Sequence, residues 1–334
     1  MGPPRERLGV FPTPLMRAER LAAALGAPAK ELLVKRDDLA GFGVAGNKTR
    51  PLEFLLGAAR ARGAEILVTG GGPGSNFCPA AALAAAAAGL RCELIIAGRP
   101  TGANHALAAA AGATVRPTAA PRERLDELVA ARARELTAAG QPAYGVPRGG
   151  SNPVGAVGFA VAATELAAQL GDARPEVIVL AVGSGGSAAG LLAGLAATDL
   201  AGTLLGVSVS RPLERVRPRV LALARECAAL LGTGDPDPDR LELVDAVGHG
   251  FGVPSDAERA LAAVALRTEG LLLDPTYGAK AFAVAAGHAR LGRPTLFWHT
   301  GGMLPAVAAI RRPLEGIGEP VLAGGRGANT EASG

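Results

Sequence analysis

The stretch "AGNKTRPLEF", Ala45 to Phe54, sets a lysine between a glycine turn and the start of an amphipathic helix. The chain has four lysines, at 30, 35, 48 and 280, so each placement carries weight. Beside Lys48, the positive end of a helix and the Arg50 guanidinium would both disfavour an ammonium and lower its pKa. An amine that is neutral near pH 7 can attack a carbonyl and form a Schiff base. A plainer reading makes Asn47 a helix cap and turns Lys48 to water, and on this stretch alone it is the commoner one. Lys30 and Lys35 bracket an expected strand as solvated charges, and Lys280 follows "DPTYGA" on an expected helix.

A second stretch changes the weighting. "VIVLAVGSGGSAAG" runs from a buried strand through Gly183, Ser184, Gly185, Gly186 and Ser187 into a helix whose free N–H groups suit a phosphate. Gly183, Gly185 and Ala188 also meet a loose dinucleotide pattern. That reading wants an acid at the end of the next strand, where "LLGVSVSRP" has Ser210 and Arg211, so NAD fits poorly and NADP stays open. The glycines alone are equally a tight strand-to-helix turn.

The elements that must carry these residues alternate. "ELLVKRDDL", "EILVTGGG", "RCELIIAG" and "TVRPT" read as strands, separated by "TRPLEFLLGAARARGA", "NFCPAAALAAAAAGL" and "NHALAAAAGA" as helices. "PRERLDELVAARARELTAAG" is a helix with a charged outer face. After "YGVPRGGSNPVGAVG", whose glycines and prolines suggest a domain crossing, "FAVAATELAAQLG", "EVIVLAVGSGG", "SAAGLLAGLAATDL" and "LLGVSVS" begin a second series. The reading is α/β with two parallel sheets. With 334 residues the chain is long enough for two domains and a large core, and 49% of it is apolar, mostly Ala, Leu and Val. The net charge of +4 comes from scattered arginines without a basic run, which gives nucleic acid no track to bind. Cys78, Cys92 and Cys227 form no CxxC pair, and no apolar stretch reads as a signal or a membrane span, so a cytoplasmic protein is expected. His105, His249, His288 and His299 lack metal-ligand spacing.

Taken in order, "FPTPLMRAERL", "LLVKRDDLAGFGVAGNKTRPLEFLL", Ser75–Asn76, "GSGGSAAG", "TEGLLLDPTYGAKAF" and "LFWHTGGMLPAV" resemble the pyridoxal-phosphate enzymes of the tryptophan synthase β-like fold (fold type II). The resemblance is to the group holding D-cysteine desulfhydrase and 1-aminocyclopropane-1-carboxylate (ACC) deaminase. It implies two three-layer α/β domains: a small one, 50–158, inserted into a large one built from 1–49 and 159–312, with 313–334 as a loose tail. It implies pyridoxal 5'-phosphate held on Lys48, which would also move the substrate's Cα proton. Asn76 would bond the phenolic oxygen, Gly183 to Ser187 would cradle the phosphate, and Thr300 would meet the pyridine nitrogen. Ser75 resembles a residue of the pocket for the substrate carboxylate, and Tyr277 the tyrosine that faces substrate. A homodimer acting on an amino acid by β-elimination or deamination is implied, with β-replacement as the nearest alternative.

The chain departs from that pattern around the substrate. The usual Ser-Asn-His-x-Arg is "SNFCP" here, with Phe77 and Pro79 in place of the histidine and arginine, and "DPVYTGKA" has become "DPTYGAKA". Gly278 follows the tyrosine where the cyclopropane-opening enzymes resemble one another in carrying an acid, so ring opening is the less supported chemistry. With the glycines of "GGGPGSN", these changes lead us to expect a less polar, roomier pocket and an amino acid other than free D-cysteine. Cys78 reads as a buried small residue and His299 as either an acid–base group or a structural one. Two rivals remain: an NADP-dependent oxidoreductase, and a relative that binds cofactor without turnover.

Overall fold

The computed structural model describes residues 2–28 and 30–314. In chain order the elements are β1 (Leu15–Arg17), α1 (Glu19–Leu25), β2 (Leu32–Arg36), α2 (Thr49–Ala61), β3 (Ile66–Gly71), α3 (Phe77–Ala87) and β4 (Arg91–Ala97). Then come α4 (Gly102–Ala110), β5 (Thr114–Thr118), α5 (Leu125–Ala138), β6 (Ala143–Gly145), α6 (Pro153–Leu170), β7 (Val177–Val182) and α7 (Gly186–Leu195). The last are β8 (Thr203–Ser208), α8 (Leu213–Leu231), β9 (Leu241–Asp245), α9 (Asp256–Glu269), α10 (Gly278–Arg290), β10 (Thr295–His299) and α11 (Met303–Leu314).

Two sheets result. One has six strands in the order β1-β2-β10-β7-β8-β9, and the other four in the order β5-β4-β3-β6. Every pairing is parallel except β1 with β2. Parallel strands need helices on both faces, so their sequences are continuous apolar runs: "VIVLAV" of β7 is buried at five of its six positions. Residues of α6, α7 and α8 form the core on one face of the large sheet, and those of α1 and α10 on the other. The small sheet is packed between α2, α3 and α4 on one side and α5 on the other. We propose that the inserted small domain follows this second sheet.

Glycine sets how closely α6 approaches its neighbours. A Cβ on Gly190 of α7 would lie 2.1 Å from the Ala156 carbonyl oxygen, and one on Gly158 would lie 2.4 Å from that of Arg50. Both distances are shorter than any real carbon contact, so the α6–α7 and α6–α2 crossings require those glycines. The helix α6 is long and apolar enough to cross a membrane, but it is a core helix with more than half of its residues buried.

Its two polar residues facing the core, Glu165 and Gln169, receive a buried cation that the sequence places at the surface. Lys35 is wholly buried, and its Nζ donates to the Thr13 carbonyl at 2.7 Å, to Gln169 at 2.6 Å and to Glu165. The reason is topological. β2 lies inside the sheet, so its alternate side chains point into a layer, and one of them must find partners on α6. Arg50, in the first turn of α2, completes the network: it donates to both oxygens of Asp37 at 2.8 and 2.7 Å and to Glu165 at 3.0 Å. Trp298 of β10 adds an indole N–H to Asp37 at 2.8 Å. This network joins β2, α2, α6 and β10 directly behind the Lys48 turn. The expected tail falls beyond 314, outside the described residues, apart from the final residues of α11.

Candidate active site

The C-terminal ends of β3, β7 and β10 open into one cleft between the two sheets. It holds about 930 Å³ counted to its solvent-open mouth. Lys48, Ser75, Asn76, Gly183, Ser184, Gly185, Gly186, Ser187, Tyr277 and Thr300 all line it. Residues up to 252 positions apart in sequence are therefore brought together around one space.

The Lys48 turn is held from behind. Gly46 has φ 53°, and a Cβ there would stand 2.6 Å from the Thr300 carbonyl oxygen, so the turn can approach β10 only with glycine. The Asn47 N–H donates to that same oxygen at 3.0 Å. Asn47 is not the helix cap: its side-chain amide donates to Ser187 Oγ at 3.3 Å across the cleft floor. Lys48 Nζ has no hydrogen-bond partner among the described residues. Burial lowers its pKa to about 8, against the opposing pull of Asp274 and Asp37. Arg50 is not a cause, because its charge is absorbed by Asp37 and Glu165.

The glycine loop enters α7 through Gly185, at φ 97°. Its first turn is tied to the segment after β6: Ser151 Oγ accepts the Gly186 N–H at 3.2 Å and lies 2.6 Å from Ser184 Oγ. Arg219 of α8 donates to the Ser184 carbonyl at 2.9 Å and fixes the loop from the other side. Asn76 accepts from Asn104 at 3.1 Å, which orients its amide and leaves the NH₂ free to donate into the cleft. Ser75 Oγ accepts the Cys78 N–H at 3.3 Å, so it serves the start of α3 as well as facing the cleft. The Thr300 hydroxyl has no partner among the described residues. An unpaired amine, a free amide donor, a glycine-lined helix start and a free hydroxyl on one cleft fit a flat pyridine aldehyde that carries a phosphate and a phenolic oxygen.

Tyr277 stands opposite the glycine loop, and a Cβ at Gly183 would lie 3.1 Å from its ring. Burial and the neighbouring Asp274 carboxylate push its hydroxyl up to about 12, so it is a phenol and a proton donor. Asp274, which sequence reading passed over, is fully buried and accepts the N–H groups of Thr276, Tyr277 and Gly278 at 3.0, 3.0 and 2.8 Å. Burial raises its pKa to about 6 even so. The "DPxYG" spacing carried that signal, because an Asp four residues before the helix start at Gly278 can accept the free N–H groups of the turn between. His299 lies behind the site: its Nδ1 accepts from Gly301 at 3.3 Å, and burial holds its pKa down at about 4, so it is a neutral packed residue. Cys78 is a buried thiol whose pKa burial pushes up to about 11. Lys280, on α10 as expected, is buried and donates to the carbonyls of Ala246, Val247 and Gly250 at 2.8, 2.6 and 3.1 Å.

The expected loss of polarity is corrected by three arginines. Arg122, Arg148 and Arg211 line the cleft, and the space beside side-chain-free Gly72 is taken by Arg122, whose Nε would be 3.9 Å from a Cβ there. Phe77 also lines the cleft, with its ring packed against Gly150 in the core of the small sheet.

Fold and site together define an enzyme of the type II pyridoxal-phosphate fold. Residues 6–301 match the family model of pyridoxal-phosphate dependent enzymes, and the chain belongs to that family. D-cysteine desulfhydrase of Yersinia enterocolitica is 37% identical over 316 residues, 89% of this chain and 93% of the relative. The enzyme of the same name from Klebsiella pneumoniae is 36% identical over 323 residues, 92% and 96% of the two chains. A crystal structure of an ACC deaminase homologue superposes with a TM-score of 0.86 at 33% identity, covering 93% of this chain and 96% of the other. The cofactor is pyridoxal phosphate, and the chain is a lyase or deaminase. The family match leaves the NADP-dependent reading without support and favours a lyase or deaminase over a binder without turnover.

Proposed function

We propose that this enzyme removes a β-substituent from an amino acid and releases a keto acid and ammonia. The observation that carries the reading is Lys48, an unpartnered amine with a pKa near 8 on the same cleft as the glycine loop. The bound cofactor supplies electron withdrawal at the substrate's Cα. Lys48 holds the cofactor and, once freed by the incoming substrate amine, takes the Cα proton as a base poised near working pH. The Ser75 hydroxyl and the Asn76 amide stand at the start of α3, where free N–H groups orient a substrate carboxylate and a phenolic oxygen. Gly183 to Ser187 hold the phosphate. Thr300 meets the ring nitrogen as a hydroxyl, which does not enforce protonation as a carboxylate would, and this favours expulsion of a good β-leaving group.

Tyr277, kept as a phenol, is placed to protonate the departing group. Cyclopropane opening is disfavoured. Gly278 is buried and its N–H is bound by Asp274, so no acid follows the tyrosine into the cleft. A homodimer in the cytoplasm belongs to the same proposal, supported by the three buried, unpaired cysteines and by the family resemblance.

The test is turnover of a panel of D- and L-amino acids with β-chloro, β-thiol, β-hydroxyl and acidic β-substituents, read as keto acid and ammonia. Release of both from at least one member, reduced about a thousandfold or more in Lys48→Ala, is expected. Equal release by Lys48→Ala would overturn the assignment of the base.

A further inference from the structure

We infer that the cleft mouth is a second anion site, and that the preferred substrate carries an acidic group at or beyond its β-carbon. The inference rests on the elimination reading above and adds the substrate class to it.

Four guanidiniums crowd this end of the cleft. Burial and the charges of Arg219, Arg148 and Arg122 hold Arg211 below its usual range, with Asp126 opposing them. Asp126 is itself claimed: it accepts the Arg148 guanidinium at 3.0 and 2.8 Å and the Arg148 N–H at 2.9 Å. Arg219 is turned to the Ser184 carbonyl. Arg122 and Arg211 have no ion pair or side-chain hydrogen bond among the described residues, although both line the cleft. A phosphate in the glycine loop accounts for two charges of this excess and leaves at least one uncompensated.

Arg122 is exposed at the rim of the cleft, where an aromatic ring flanks it. Its guanidinium lies 5.3 Å from the centroid of the Phe251 ring, which meets Tyr277 edge-on at 5.9 Å and would lie 3.5 Å from a Cβ at Gly74 of the serine loop. The segment bearing Phe251 is pinned by the buried Lys280 ammonium through three carbonyls. Arg122 therefore flanks the serine loop beside Gly72 and, across the Phe251 ring, faces Tyr277. A planar fork there is suited to a carboxylate, sulfonate or phosphate on the substrate's side chain.

The experiment uses the enzyme loaded with pyridoxal phosphate and compares 3-chloroalanine with 3-sulfoalanine and O-phosphoserine, each as both enantiomers. Calorimetric binding of alanine and aspartate is measured alongside. The expected result is a preference for the acidic members in kcat/KM and in binding, falling about tenfold or more in Arg122→Met and partly restored in Arg122→Lys. Preference for the neutral members in the unaltered enzyme would overturn the inference. So would an Arg122→Met variant that weakens cofactor affinity and leaves the preference intact, since Arg122 would then belong to the phosphate. Acid-selective binding that depends on Arg122 without any turnover would keep this inference and defeat the elimination reading instead.

Discussion

At the scale of the residue, the chemistry turns on one amine and what surrounds it. Lys48 owes its lowered pKa to burial, and Asp274 and Asp37 limit the shift to about 8. Only the neutral amine attacks an aldehyde, so the rate at which apoenzyme takes up pyridoxal phosphate should rise with pH through about 8 and level above it. Stopped-flow absorbance between pH 6 and 10 reads this directly, and a midpoint near the ordinary lysine value would contradict it. The same residue shows what sequence can and cannot supply. Lys48, the glycine loop and Tyr277 were legible as members of one cleft because the ordered set of family-like motifs carries them, although on its own stretch Lys48 had a plainer reading. Arg122, Arg148 and Arg211 were not, because they come from three separate elements in an arginine-rich chain and become a cluster only when the two sheets face each other. Lys35, read as a solvated charge, misled because its side-chain partners on α6 are 130 or more positions away.

At the scale of the element, the site depends on a buried ion network that sets the start of α2. Arg50 is almost wholly enclosed, and Asp37 takes two of its hydrogen bonds as well as the Trp298 indole N–H. The Asp37 and Glu165 carboxylates raise its pKa above the ordinary range against the opposing effect of burial. Asp37→Asn would leave that guanidinium underpaired in the interior, and loss of one partner of such a pair costs about 3 kcal/mol. Urea unfolding should show a destabilisation of that order, whereas a change below about 0.5 kcal/mol would mean that Glu165 alone suffices. Long elements with a clear period, such as α2, α5, β3 and β7, were readable from the sequence. The short ones were not. β1 and β6 have three residues each and exist only because a neighbouring strand pairs with them, and α6 starts at Pro153, inside a passage whose glycines and prolines suggest a loop.

At the scale of the whole molecule, the two sheets present strand ends and helix starts to one cleft, and each contributes groups the other lacks. The large sheet brings the glycine loop, Tyr277 and Thr300, while the small one brings Ser75, Asn76 and Arg122. The fold class was legible because βα alternation survives in the composition of nearly every segment, whereas the charge of the cleft is a property of assembly alone. Light scattering should give the mass of two chains. An acidic substrate should also lose affinity as salt rises, because the arginine field at the mouth is screened over about 8–10 Å at 0.1–0.15 M. Whether Lys48 anchors the cofactor is tested by borohydride reduction of the enzyme loaded with pyridoxal phosphate, followed by peptide mapping. The expected result is loss of the visible absorption band and a single pyridoxyl group on the peptide carrying Lys48, absent in Lys48→Ala. A label on Lys35 or Lys280, or a visible band that persists in Lys48→Ala, would contradict it.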